Sequence, residues 1–253
     1  MTAAAGSVEF THVSFAPHGV SRPILNDISL TLEAGTTTAL LGRSGSGKTT
    51  LLRTVNGLVL PTGGSVRVSG NEVVGADLIK LRRGIGYVIQ ETGLYPHMSI
   101  ERNVALPLEL AGKTLSERTE RAHALLHDVG LEPSQYATRM PWQLSGGQRQ
   151  RAGVARALAA DPAILLLDEP FGALDPLTRA EMQTMLRDLL ARLGKTAVLV
   201  THDLQEAIFL AHRVIFIDAG NVAADLPSQD VLKSDLANVK EYVRAVNRFE
   251  AAG

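Results

Sequence analysis

Apolar residues along this chain follow two rhythms. Near the start, "VEFTHVSF" (8–15), "ISLTLEAG" (28–35) and "SVRVSG" (65–70) alternate apolar and polar positions, with glycine-containing turns and no helix between the first two. This pattern predicts antiparallel strands. Further on, short unbroken apolar runs predict buried strands of a largely parallel sheet: "TTTALLG", "GYVIQ", "AILLLDE", "TAVLVTHD" and "RVIFIDAG". Between them apolar residues recur at helical spacing. Ala122, Leu125, Leu126 and Val129 form one such face; Met182, Met185, Leu186, Leu189, Leu190 and Leu193 form another. A helix is expected from about Lys48 to Asn56, and a helical tail from Ser228, with Leu236, Val239, Val243 and Val246 on one side.

Between Gln90 and Pro162 helical patterns dominate and no strand is expected. The reading is an α/β fold. Residues 1–90 and 160–225 make a core with an antiparallel β subdomain. Residues 91–159 are a helical subdomain inserted into it, and 226–253 a helical tail.

Composition narrows the class. The chain has 253 residues, 45% of them hydrophobic, enough for one large domain or a core with an attached lobe. A net charge of −1 offers no general attraction for nucleic acid or anionic lipid. With no cysteine, disulfides, thiolate metal sites and cysteine nucleophiles are excluded. The start "MTAAAGSVEF" has no basic segment followed by an apolar run, so no signal peptide is expected. Apolar runs such as Ala163–Leu167 fall far short of the ~20 residues that span a bilayer. The expectation is a soluble, intracellular protein.

Candidate chemistry concentrates at a few strand ends and helix starts. "GRSGSGKTT" supplies Gly42, Arg43, Ser44, Gly45, Ser46, Gly47, Lys48, Thr49 and Thr50, and satisfies the G-x-x-x-x-G-K-[ST] pattern between a strand and a helix. Glycines let backbone N–H groups turn inward onto phosphate oxygens, aided by the positive end of the helix. Lys48 brings a charge to the terminal phosphates, and the Thr49 hydroxyl suits Mg²⁺. Asp168 and Glu169 end an apolar strand, where successive side chains point to opposite sides and take different jobs. Asp168 suits a metal, and Glu169 an attacking water. His202 also ends a strand, where a structural hydrogen-bonder and a phosphate contact are both open readings; Gln90 lies at the same sheet edge. In "LSGGQ", Ser145 and Gln148 read as a capping box. Gly146 and Gly147 need another reason, because each weakens a helix by ~1 kcal/mol relative to alanine. Uncovered N–H groups for a phosphate provide one.

Together "GRSGSGKTT", Gln90, "LSGGQ", "ILLLDEP", "GALD" and His202 resemble, in order and spacing, the ATP-binding cassette (ABC) ATPases, over about Val8 to Gly220. The resemblance implies a phosphate-loop, RecA-like core and ATP with Mg²⁺ as ligands. Residues Gly42 to Thr50 and Gln90 would bind nucleotide, with Thr49, Gln90 and Asp168 serving the metal. Glu169 would be the general base, and His202 would touch the γ-phosphate. It implies a head-to-tail dimer in which Leu144, Ser145, Gly146, Gly147 and Gln148 of one copy close over the nucleotide of the other, with Asp175 coupling the sites. The family's adenine-stacking aromatic has no clear counterpart: Pro17 falls at that position, with Phe15 and His18 near it.

"GYVIQETGLYPHMSI" and "DEPFGALDP" resemble bacterial importers, first those for quaternary ammonium osmoprotectants such as glycine betaine, then those for amino acids such as methionine. An exporter or lipid-trafficking subunit and a soluble non-transport cassette are the further alternatives. The resemblance implies membrane-spanning partner subunits, an indirect solute-binding protein, no nucleic acid, and a peripheral place at the cytoplasmic face of the membrane. Leu94, Tyr95 and Met98 are the candidate docking residues, with packing inside the lobe the competing reading.

Overall fold

The structure is a computed structural model that describes residues 4–19, 22–90 and 92–250, with side chains to 244. The first elements are β1 (Val8–Phe15), β2 (Leu25–Leu32), β3 (Thr37–Leu41), α1 (Lys48–Val55), β4 (Gly63–Val68), β5 (Asn71–Glu72) and α2 (Leu78–Arg83). Then come β6 (Ile85–Val88), α3 (Ile100–Leu110), α4 (Leu115–Asp128), α5 (Pro133–Tyr136) and α6 (Gly146–Leu158). The remainder is β7 (Ile164–Asp168), α7 (Pro176–Leu193), β8 (Thr196–Thr201), α8 (Leu204–Leu210), β9 (Arg213–Asp218), β10 (Asn221–Pro227) and α9 (Ala237–Glu250).

Two compact units divide the chain: one holds Arg82–Lys195, the other Gly6–Leu81 with Thr196–Gly253. In the second unit β1 pairs antiparallel with β2 and with β4, and β4 with β5, as the alternating patterns predict. A second set of strands there places β3 between β8 and β9, parallel to both, with β10 antiparallel on β9. All five residues of β3 and all six of β8 are buried, which explains why neither alternates apolar and exposed polar positions. One face is closed by a cluster that includes Ala39, Leu41, Leu204, Val214, Phe216 and Val239. The tail begins as a short 3-10 turn, Ser228–Lys233, before α9. Val239 is buried as expected, whereas Leu236 is 46% exposed; the Val246 side chain lies outside the described residues.

In the other unit β6 and β7 pair in parallel, and among the described residues no strand lies between them in the chain. The helices α3, α4 and α6 pack on one another. Ala122, Leu125, Leu126 and Val129 are all buried, so the 3–4 spacing does form the inner face of α4. In α7 the spacing holds for Met182, Leu186, Leu189 and Leu190, with Met185 and Leu193 at the half-buried margin. Among the described residues no helix is long and apolar enough to cross a membrane.

Candidate functional site

In the unit that carries β3, the strand delivers its C-terminal end into the glycine loop. Leu41 pairs with Thr201 of β8, so Gly42 and His202 follow adjacent strand ends. A side chain at Gly42 would place Cβ 2.2 Å from the Ile217 carbonyl oxygen, so only glycine lets the chain turn there. Gly47 adopts φ 107°, and its Cβ would meet the Ile24 oxygen at 2.8 Å. The loop then closes on itself. The Lys48 ammonium, 4% exposed, donates to the carbonyls of Gly42 at 2.7 Å and Arg43 at 2.9 Å. Ser46 Oγ is buried within this ring without a hydrogen-bond partner, an arrangement that suits an incoming oxyanion. Thr49 and Thr50 follow in the first turn of α1, half-buried. An open groove beside the loop is lined by Arg22, Pro23, Ile24, Arg43 and Asp218, and no aromatic ring is among its lining residues. Phe15 is half-buried at the end of β1, and Pro17 and His18 lie in the loop beyond it.

The other unit gathers the acidic residues, Gln90 and the serine–glycine helix. Val88 pairs with Leu167, so Gln90 and Glu169 each stand two residues beyond paired positions. Asp168 is 5% exposed and accepts a 3.1 Å hydrogen bond from the Tyr87 hydroxyl. Glu169 does not continue the strand as the alternation argument expected. β7 ends at Asp168, and Glu169 takes a left-handed backbone with φ 46°. That strain in a non-glycine residue turns its side chain by backbone rotation rather than by strand alternation. A Cβ built on Gly172 would lie 4.0 Å from both Gln90 Nε2 and Glu169 Oε2, so the two side chains converge. Gln90 itself lies two residues past β6 rather than at its last position.

Ser145 caps α6 as the sequence predicts. Its side chain accepts from the Gln148 N–H, and the Gln148 side chain accepts from the Ser145 N–H at 3.0 Å. The two glycines separate in role. Gly146 is exposed, and an added Cβ would make only an ordinary contact, with Leu174 Cδ2 at 3.8 Å. Gly147 is buried, and an added Cβ would sit 2.3 Å from Thr178 Cγ2. Leu144 is 4% exposed. Asp175 is the N-cap of α7 and accepts from the Thr178 N–H at 3.1 Å. The hydroxyl and backbone N–H of Thr178 hold its carboxyl below the ordinary aspartate range. The starts of α6 and α7 therefore lie side by side, and a pocket lined by Gln90, Gly146, Arg149, Gln150 and Leu174 joins them to the end of β6.

Two residues that the sequence reading passed over shape the segment after Gln90. Arg156 of α6 donates to the carbonyls of Thr92 and Gly93 at 2.9 and 2.7 Å, and burial pushes its guanidinium below the ordinary arginine range. Asn103 is fully buried, accepts from the Tyr95 N–H, and donates to the carbonyls of Tyr95, Met98 and Ser99. An asparagine on the apolar face between Ile100 and Val104 was the available signal. Of the docking candidates, Tyr95 is 45% exposed while Leu94 and Met98 are half-buried.

Known proteins share this arrangement. A family model described as ABC transporter matches residues 25–172. The chain is 40% identical over 245 residues to the carnitine transport ATP-binding protein OpuCA of Listeria monocytogenes, covering 96% of this chain and 61% of that protein. It thus spans about three-fifths of that relative's length. It is 46% identical over 213 residues to the taurine import ATP-binding protein TauB of Escherichia coli O157:H7, covering 84% of this chain and 80% of that one. A solved dimeric structure of the ATP-binding cassette MJ0796, in a post-hydrolysis state bound to ADP and Pi, superposes with a TM-score of 0.79 at 35% identity. That match covers 87% of this chain and 98% of the other. With its closed glycine loop, its capped serine–glycine helix and these likenesses, the chain belongs to the ABC transporter family.

Proposed function

We propose that this chain binds and hydrolyses ATP to power a membrane importer of a small polar solute, of which quaternary ammonium osmoprotectants are the first candidates. The observation that carries the nucleotide reading is the glycine loop, closed by Lys48 and holding the unpartnered Ser46 hydroxyl. The importer reading is supported by the carnitine and taurine relatives, whose solutes both combine a cationic nitrogen with an anionic group.

In this reading Gly42 to Thr50 cradle the triphosphate and Lys48 faces its terminal phosphates. Among the described residues no group of three or more His, Cys, Asp or Glu could hold a metal. A Mg²⁺ ion would be shared with the nucleotide, and the donor types fit. The Thr49 hydroxyl, the Gln90 carboxamide and the Asp168 carboxylate are hard oxygen donors, and Mg²⁺ takes its other ligands from phosphate and water. When bound, it neutralises charge on the β- and γ-phosphates. Glu169 takes a proton from the water that attacks the γ-phosphorus. The bond to the β-γ bridging oxygen breaks, leaving ADP and inorganic phosphate. His202 contacts the γ-phosphate.

A second copy of the chain supplies Leu144 to Gln148, presenting Ser145 and the open Gly146 to the γ-phosphate, with Asp175 coupling the two sites. Residues 1–90 and 160–225 would act as the nucleotide core, 91–159 as the lobe that meets membrane-spanning subunits, and 226–253 as a tail. Those subunits receive solute from a binding protein and hold the dimer at the cytoplasmic face of the membrane.

The test has two readouts. Purified chain should bind and turn over MgATP, and Lys48→Ala should lose both; binding by Lys48→Ala at wild-type strength rejects the cradle assignment. The co-purifying solute-binding protein should take carnitine or glycine betaine in titration calorimetry. Binding of taurine alone moves the solute assignment to sulfonates, and binding of none of the three rejects the osmoprotectant assignment.

A further inference from the structure

The helix α9 reaches back to the phosphate loop. Its Val239 is fully buried in the same cluster as Ala39 and Leu41 of β3, the strand that leads into the loop. Tyr242 stands edge-on to Phe216 of β9, with ring centroids 5.5 Å apart, and its hydroxyl lies within electrostatic reach of Arg43. The neighbouring Glu241 carboxylate forms an ion pair with the Arg43 guanidinium. Arg43 is one of the open positions of the glycine-loop pattern, so the pattern itself calls for neither contact. Both residues of α9 also lie outside residues 25–172, the stretch that the family model matches.

A loop that binds phosphate through backbone N–H groups gains affinity when its shape is set before the ligand arrives, because less ordering is lost on binding. The packed body of α9 gives two neighbouring side chains a fixed base from which to hold Arg43. We propose that Glu241 and Tyr242 are positioning residues that act through Arg43 to hold the phosphate loop in its nucleotide-accepting shape. This inference rests on the nucleotide reading above.

MgATP titration calorimetry and steady-state hydrolysis on wild type, Tyr242→Phe, Glu241→Gln and the double variant test it. Tyr242→Phe keeps the ring against Phe216 and removes only the hydroxyl. Kd and KM should rise about two- to tenfold, the range for loss of one polar contact. Turnover at saturation should hold, because a looser loop weakens ground and transition states alike. Glu241→Gln should cost less than about fivefold, since the pair is exposed, and its effect should fade in high salt. Asp235→Asn breaks the Lys240–Asp235 pair at the foot of the same helix without touching Arg43, and should leave Kd unchanged.

If the double variant binds MgATP like wild type, the inference is overturned while the nucleotide reading stands. If wild type itself binds no MgATP, the nucleotide reading fails and takes this inference with it. If Asp235→Asn weakens binding as much as Tyr242→Phe, and melting temperature falls in step, α9 only stabilises the fold and the positioning role is rejected.

Discussion

Glu169 shows how much a single backbone angle decides. Its place after an apolar strand and an aspartate was legible in the sequence, but its left-handed φ of 46° was not. Nothing in the letters "LLLDEP" distinguishes a sixth strand residue from a strained turn. The strain is a cost of order 1–3 kcal/mol that the buried surroundings must offset, and such strain is concentrated at working sites. Glu169→Gln retains size and backbone, so MgATP binding should persist. Hydrolysis should fall by at least 10²–10⁴, the usual worth of a general base, as read by phosphate release beside nucleotide titration. Turnover close to wild type would take the base role from Glu169. Lys48 is the opposite case, since the loop pattern predicted its position and the structure adds only its two carbonyl partners. The Arg43–Glu241 pair was invisible, because 198 positions of sequence separate its members.

At the scale of elements, helix starts were the most legible features and their glycines the least. The capping box of Ser145 and Gln148 follows from a spacing of three, which is local information. That Gly147 abuts Thr178 depends on how α6 meets α7, which no local rule contains. The two glycines should therefore respond differently to alanine. Gly146→Ala makes only an ordinary contact with Leu174, so stability should hold or rise by about 0.4–1 kcal/mol while hydrolysis falls. Gly147→Ala should destabilise by about 1–3 kcal/mol through overpacking. Thr178→Ser removes the methyl group in the way and should recover most of that loss. Chemical denaturation beside an ATPase assay separates the cases; wild-type turnover by Gly146→Ala would leave the second cradle without a phosphate role.

A second capping box, at the start of α4, is a pH probe. The Thr114 N–H and hydroxyl donate to Glu117, Lys113 lies beside it, and these lower its carboxyl from 4.5 to about 2. Because the folded value is the lower one, the stabilisation is fully present above the unfolded value. It is lost as pH falls from 4.5 towards about 2. The melting-temperature gap between wild type and Glu117→Gln should accordingly narrow through that window.

For the whole molecule, strand order and unit division depend on contacts distant in the chain, yet the α/β plan was still readable. It shows in the fully buried, non-alternating runs of β3, β7 and β8 against the alternation of β1 and β2. What a single chain cannot display is a site completed by another copy. Two-fold symmetry gives that idea a quantitative form. If Lys48 and Ser145 act on the same nucleotide from different chains, Lys48→Ala and Ser145→Arg each disable both sites of their own dimer. In a mixed dimer the two lesions fall on one site and leave the other whole. Random pairing of equal amounts makes half of the dimers mixed, each with one site of two, so activity should return to about a quarter of wild type. That figure assumes that a lone intact site works at its normal rate. Fluorescently tagged chains would verify that mixed dimers form in MgATP. Mixed dimers without recovered hydrolysis would mean either that Ser145 serves the nucleotide of its own chain or that one site cannot fire alone. Combining Lys48→Ala and Ser145→Arg in one chain and pairing it with wild type distinguishes these. That mixed dimer has a lesion in each composite site but would keep one whole site if Lys48 and Ser145 served the same chain. Activity of about half of wild type from the second pairing, against the roughly one quarter that wild-type homodimers alone supply, with none from the first, would place Ser145 and Lys48 in the same chain's site and end the head-to-tail assignment.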